Sequence, residues 1–265
     1  MSNCSILPII VLYNTQLETT IVYRKLLSKQ KRFVIYDNSI RNDCSIDSSV
    51  AVYYHDSGNG GVSAAYNYGA LKAKEFGDVE AMVFLDQDTE FQSDYLSILE
   101  DLLVKFPDVD VFVPQVYYNQ NLLFSPVRRG FSCKKVCLEE GLYSFKNYLP
   151  VNSGACVRLS AFEKTGGYNP KIRLDFADFD FFSRLGQISS QFYLINSYAL
   201  QSFSNDETDL IKLERRYRLF VEGAKYAKRN PGIRSKVIYD TIKHTIALTI
   251  RTHSLKFLKL LPKFI

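Results

Sequence analysis

Residues 83–91 read VFLDQDTEF, an apolar run that delivers two carboxylates, Asp86 and Asp88, one residue apart. A solvated turn explains the acids but not the greasy stretch Met82–Leu85 ahead of them. A buried strand ending here explains both, because it fixes two acidic groups at its carboxyl end where a cation must meet them. Carboxylates in D-x-D spacing can share a divalent ion, Mg²⁺ or Mn²⁺, that also accepts phosphate oxygens. The tripeptide alone says little, since many loops contain one.

Working outward, residues 5–13 (SILPIIVLY) read as a strand buried after Pro8, a residue tolerated at a strand start. Residues 14–31 have helical spacing, with Ile21, Val22, Leu26 and Leu27 on one side. Strands follow at RFVIYDNS (32–39) and VAVYYHD (50–56), a glycine-opened helix at 61–76, and the D-x-D strand at 79–88. Alternation of this kind predicts an α/β sandwich with parallel strands, whose ligands bind beyond the strands' carboxyl ends. Polar residues gather at those ends: Asn14, Asp37 with Asn38, His55 with Asp56, and Asp86 with Asp88. Further on, 94–106 is an amphipathic helix, 109–119 a strand, 119–150 irregular and 150–164 a strand leading into a helix. The C-terminal stretch reads as helical.

Two other segments carry chemistry. In NGGVSAAYNYG (59–69), Gly60 and Gly61 permit close backbone approach, and a helix start favours phosphate-like charge. A glycine turn before a tightly packed core helix explains it equally well. In LDFADFDFFSRL (174–185), Asp175, Asp178 and Asp180 sit among phenylalanines. They are either partners of a helix dipole or, with a raised pKa, the source of a general base.

The chain has 265 residues and is 46% hydrophobic, enough for one large domain or a domain with an appendage. Five cysteines are an odd number, and Cys133 and Cys137 lack a second pair at zinc-site spacing. They read as reduced thiols of a cytoplasmic protein. The opening residues do not have a signal peptide's pattern, and no run of roughly eighteen apolar residues predicts a membrane span. The net charge of +5 gathers after Lys212. These basic residues are not interleaved with a nucleic-acid reading motif, so no nucleic-acid partner is expected. Ile238, Ile242, Ile246 and Ile250 form an i,i+4 stripe, closed by LKFLKLLPKF (255–264). The stripe suits an amphipathic helix lying on an anionic membrane. Packing against the domain, or against a second copy in a homo-oligomer, is the competing reading.

Together the segments resemble the family 2 glycosyltransferases. Tyr13-Asn14 ends the first strand and YDNS the second. Asn59, Gly61, Ala65, Asn67 and Gly69 match N-x-G-x-x-x-A-x-N-x-G. LDQDT (85–89) and NSGACVRLSAFEKTGGYNP (152–170) are similar to the bacterial rhamnosyltransferase branch. Leu174, Asp175, Asp178, Asp180 and Arg184 follow that branch's acidic pattern without gaps.

The resemblance implies a GT-A fold, a Rossmann-like α/β/α sandwich with a mixed, mainly parallel sheet. It implies a catalytic domain over 1–230, divided into a nucleotide-sugar half (1–118) and an acceptor half (119–230), and a basic amphipathic tail over 231–265. Tyr13, Asn14, Asp37, Asn38, Asn59, Asn67, Asp86 and Gln87 are then expected to bind the nucleotide sugar. Asp88 with Asp86 is expected to hold Mg²⁺ or Mn²⁺, and Asp178 to act as base. Two departures stand out: Ala177 where many members have glutamate, and Gln201 where many have a metal-binding histidine. The implied activity is inverting transfer from a nucleotide-diphosphate sugar to a saccharide acceptor on a polyprenyl lipid, building bacterial surface polysaccharide at the inner face of the cell membrane. dTDP-L-rhamnose is the leading donor. UDP-galactose, UDP-glucose or a UDP-N-acetylhexosamine is the alternative, and a non-catalytic sugar-nucleotide scaffold is the rival from another class.

Overall fold

The computed structural model describes residues 5–27, 32–41, 51–92, 94–118, 122–130, 136–201 and 209–261. Three of the five cysteines, Cys4, Cys44 and Cys133, lie outside them. The strands are β1 (Ile6–Leu12), β2 (Phe33–Asp37), β3 (Ala51–His55), β4 (Ala81–Asp86), β5 (Glu90–Phe91) and β6 (Val111–Tyr118). They continue as β7 (Leu122–Ser125), β8 (Val127–Arg128), β9 (Gly141–Ser144), β10 (Tyr148–Leu149), β11 (Cys156–Arg158) and β12 (Gln191–Gln201). The α-helices are α1 (Ile21–Leu27), α2 (Gly61–Phe76), α3 (Tyr95–Lys105) and α4 (Leu159–Thr165). After them come α5 (Ala177–Leu185), α6 (Leu210–Ala227), α7 (Arg234–Thr252) and α8 (Lys256–Leu260).

The main sheet runs β3-β2-β1-β4-β11-β6-β12-β5. Neighbours among β3, β2, β1 and β4 are parallel, as are β6 and β12, whereas β11 is antiparallel to both β4 and β6. This is the mixed, mainly parallel GT-A-type sandwich that the sequence predicts. Each face of a central strand must be covered, and β1 shows how. Leu7, Ile9 and Val11 join a cluster with residues of α2, α4, α5, α6 and α7. Ile6, Ile10 and Leu12 pack with Val22 and Leu26 of α1 and with Leu99 of α3. Pro8 lies inside β1 rather than at its start, but β2 pairs with β1 only from Ile9 onward.

The helix expected over 14–31 is shorter: a 3₁₀ turn at Leu17–Thr19 precedes α1. The longest strand, β12, has no counterpart in the sequence reading. Its register against β6 jumps between Leu194 and Tyr198, opposite Pro114, whose missing N–H interrupts the ladder. The outer edge of β12 carries β9 at 191–194 and β5 at 199–200.

On α7 the isoleucine stripe read from the sequence lies largely outside the core. Val237, Thr241, Thr245 and Leu248 are the buried side of α7, while Ile242, Ile246 and Ile250 are exposed. Burial of threonine is tolerated because each hydroxyl is spent on its own helix. Thr241 donates to the Val237 carbonyl (2.6 Å), Thr245 to that of Thr241 (2.6 Å) and Thr249 to that of Thr245 (2.8 Å). Val237, Leu248, Phe257 and Leu260 belong to the same apolar cluster as the sheet.

Candidate active site

Parallel strands point their carboxyl ends to one edge of the sheet, and β11, being antiparallel, brings its entry there instead. That edge therefore collects the residues after β1, β2, β3, β4 and β12, together with Asn152 and Ser153 ahead of β11. The Tyr13 amide donates to Gln87 Oε1 (2.8 Å) and the Asn14 amide to Ser39 Oγ (2.7 Å), which ties the ends of β1, β2 and β4 together. Asn14 has a left-handed backbone (φ +49°) and Tyr13 presents an exposed ring. Asp37 is buried, accepting from the Ser39 amide (2.8 Å) and the Tyr53 hydroxyl (2.7 Å).

Asp86 is the centre of the constellation. Its Oδ2 accepts from Gln201 Nε2 (3.1 Å), and the Ser153 hydroxyl lies within donating distance of both Asp86 Oδ2 (3.0 Å) and Gln201 Oε1 (2.8 Å). Tyr66 from α2 reaches Oδ1 at 3.4 Å. Burial nevertheless pushes the Asp86 carboxyl above the usual carboxylate range, against those neutral donors. Asp88 stands exposed beyond it. Gln201, which the resemblance sets where many members have a histidine, presents an amide N–H to Asp86.

Among the described residues no group of three or more His, Cys, Asp or Glu forms a ready-made cage for a divalent ion. Mg²⁺ and Mn²⁺ do not need one: they take one or two carboxylates and complete their shell with phosphate oxygens and water. Asp86 and Asp88 fit that arrangement, and the partly buried, charge-averse Asp86 is a site where a cation offsets desolvation.

The acidic motif separates into three different fates. Asp175 pairs with Arg216 of α6 (Arg216 Nη2 to Oδ1, 2.8 Å). Asp180 is buried, bonded by Arg184 Nε (3.0 Å) and Asn230 Nδ2 (3.0 Å). Among the described residues Asp178 accepts a single hydrogen bond, from the adjoining Phe179 amide (2.7 Å). Burial raises its pKa to about 7, the Phe179 amide and the Lys236 ammonium pull it down, and the charges of Asp175 and Asp86 push it up. Phe176, just ahead, holds a left-handed backbone (φ +67°) while its ring packs on Phe220. For a bulky residue that conformation costs about 1–2 kcal/mol, and such strain clusters at functional sites.

The second motif is consumed by the fold. The Gly61 amide donates to Asn38 Oδ1 (3.0 Å), the Val62 amide to the Arg173 carbonyl (2.8 Å) and Ser63 Oγ to the Ile172 carbonyl (2.5 Å). The start of α2 is therefore capped by the chain itself, and the phosphate reading of that helix start gives way to the packing one. Gly69 is where α2 touches the sheet, since a Cβ there would lie 2.1 Å from the Ile9 side chain. Asn67 binds the backbone of Tyr168 from both ends of its amide (2.8 and 2.9 Å). Tyr168 in turn stacks on Phe181 (4.2 Å) and faces Tyr66 (5.3 Å), linking the Asp86 and Asp178 neighbourhoods. Asn59 is half-buried and left-handed (φ +50°), in a turn held by Asp56. Burial pushes the Asp56 carboxyl up, but the Tyr36 hydroxyl and the Gly60 and Gly58 amides outweigh it and lower its pKa.

Sequence reasoning passed over Tyr66, Ser153, Tyr168 and Lys236. Tyr66 and Tyr168 look like core aromatics, Ser153 was seen only as part of the Asn-Ser-Gly stretch, and Lys236 falls in the basic tail.

Residues 9–163, more than half of the chain, match Glycosyl transferase family 2. The chain belongs to this family. Solved structures agree on the fold. GalNAc-T7 with UDP, GalNAc and Mn²⁺ superposes with a TM-score of 0.55 at 14% identity, over 85% of this chain and 51% of that one. S. aureus TarS gives a TM-score of 0.56 at 15% identity, over 94% and 43%. TarS 1–349 in complex with UDP-GlcNAc gives 0.56 at 13%, over 90% and 70%. This family 2 chain thus spans about half the length of the first two. No curated protein matches the sequence. No helix among the described residues is long and apolar enough to cross a membrane.

Proposed function

We propose that this family 2 chain is an inverting glycosyltransferase that uses a nucleoside-diphosphate sugar, with Asp178 as its base. The observation that carries the reading is the contrast within the acidic motif. Asp175 and Asp180 are held by arginines, whereas Asp178 is left with one backbone donor and a pKa of about 7, where a general base works best.

Asp178 takes the proton of the acceptor hydroxyl as that oxygen bonds to the anomeric carbon. The bond from that carbon to the diphosphate breaks on the opposite face and the nucleoside diphosphate leaves. Asp37, Asn14 and Tyr13 line the nucleotide side at the ends of β1 and β2. Asp86 and Asp88 would hold Mg²⁺ or Mn²⁺, which when bound would supply positive charge for the leaving diphosphate. Tyr66 and Ser153 orient the Asp86 carboxylate.

The donor panel is dTDP-L-rhamnose and the UDP-hexoses, and the acceptor a saccharide on a polyprenyl lipid at the cytoplasmic membrane face. Supporting this location, Ile242, Ile246, Ile250, Leu255 and Leu258 are exposed beside Lys243, Arg251, Lys256 and Lys259. Such a face suits anionic lipid. The test is mass-spectrometric detection of product from the donor panel, a lipid-linked acceptor extract and Mn²⁺ or Mg²⁺. One donor consumed by the wild type and spared by Asp88→Asn and Asp178→Asn establishes the reaction. Intact donors together with no nucleotide binding sink it.

A further inference from the structure

A cleft of about 300 Å³ lies between the 129–130 turn and the start of α7, lined by Arg129, Leu149, Gly232 and Lys236. Its two cations are fixed by different elements. Arg129 donates to Ser183 Oγ (2.7 Å), the Gly232 carbonyl (2.9 Å) and the Phe145 carbonyl (3.1 Å). A Cβ on Gly232 would lie 2.3 Å from Ser183 Oγ and 2.8 Å from Arg129 Nη2, so any side chain there would displace the Arg129 contacts. Lys236 sits 4.5 Å from the centre of the Phe179 ring, its ammonium held by Asp240 at 2.7 Å and its side chain only 12% exposed. Phe179 adjoins Asp178, so Lys236 is shared by the wall of the cleft and the neighbourhood of the base.

Two cations and one carboxylate, Asp240, make this wall net positive, and Asp178 is the other acid whose charge meets Lys236. A neutral sugar hydroxyl needs no such pair, whereas a phosphate ester presents several charged oxygens to an arginine and a lysine approaching from separate elements. The charges of Asp86 and Lys236 both act on Asp178, so the base is within electrostatic reach of the carboxylate end and of this cleft.

We infer that the cleft walled by Arg129 and Lys236 is an acceptor subsite for a phosphate ester, placed so that a hydroxyl of the same acceptor reaches Asp178. The inference rests on the transferase reading and extends it to the class of acceptor. The phosphate can belong to a prenyl chain or to a sugar. The full chain, saturated with UDP and Mg²⁺ to occupy the donor end, is titrated calorimetrically with farnesyl phosphate, farnesol, glucose 1-phosphate and glucose.

At least one phosphate probe is expected to bind tenfold or more tightly than its neutral counterpart, and which one names the source. Lys236→Gln is expected to abolish most of that preference. Arg129→Lys, which keeps the charge and loses the fork, is expected to weaken it several-fold. Equal binding of charged and neutral probes, or a preference untouched by Lys236→Gln, overturns the subsite. UDP binding measured alone scores the donor reading separately: if it persists while the preference is missing, the transferase stands and the subsite falls.

Discussion

Helices α2 and α5 both open on a left-handed backbone, Gly61 at φ +75° and Phe176 at φ +67°, and both carry motif residues in their first turns. They differ in what is left over. At α2, the Gly61 and Val62 amides, the Ser63 hydroxyl and the Asn67 amide all go to other parts of the chain. At α5, Asp175 and Asp180 are similarly consumed by arginines, but Asp178 is not. A motif therefore marks two kinds of residue, those that build the frame and those whose hydrogen-bonding capacity the frame leaves for a substrate.

The sharpest way to break this contrast is Asp178→Asn. Transfer is expected to fall about 10²–10⁴-fold, measured as donor turnover, while the thermal midpoint does not fall. In the wild type the rate should climb with pH and level off above about 7, as Asp178 loses its proton. Stability should move the opposite way. The raised carboxyl favours folding fully below the ordinary carboxylate range, and that contribution is lost as pH rises through about 7. Thermal melts between pH 4 and 8 should show this slope in the wild type and a smaller one in Asp178→Asn. A variant that melts lower at pH 8 would count Asp178 among the frame residues.

Next in size is Gly61→Ala, whose Cβ would lie 2.1 Å from the Arg173 carbonyl on a left-handed backbone. It should cost about 2–4 kcal/mol in denaturant unfolding, with any activity loss following the folded fraction. Asn67→Ala strips both partners from the Tyr168 backbone, and a loss of about 1–3 kcal/mol is expected by the same measurement. Smallest is Asp175→Asn, which breaks a half-exposed pair with Arg216 and should cost less than about 1 kcal/mol. If Asp175→Asn cut turnover as deeply as Asp178→Asn, the division between the two acids would be wrong.

The same distinction explains what the sequence made legible. Periodicity located β1 to β4, α2 with its bounds, α3 and β6, because strands buried on both faces and a helix with small residues announce themselves. It passed over β12, where Asn196 and Ser197 interrupt the apolar run at the register shift opposite Pro114. It found the isoleucine stripe that α7 leaves exposed but not the side that α7 buries, because threonines that satisfy their own hydroxyls can be buried without being hydrophobic. At the site, Asp86, Asp88 and the trio Asp175, Asp178 and Asp180 stand out as carboxylates in an apolar setting, and only the family resemblance singles out Asp178 among the three. That Asp178 alone escapes an arginine was illegible, since Arg216 lies on α6, far along the chain from Asp175.

The broken edge of β12 has a consequence for how the protein behaves in a crowded solution. A long, flat outer strand offers its free amides and carbonyls to any passing chain and seeds aggregates. Here β9 covers one end of that edge, β5 covers the other, and the stretch between them is thrown out of register. What an incoming strand meets is a short, irregular gap on which no extended ladder can be templated.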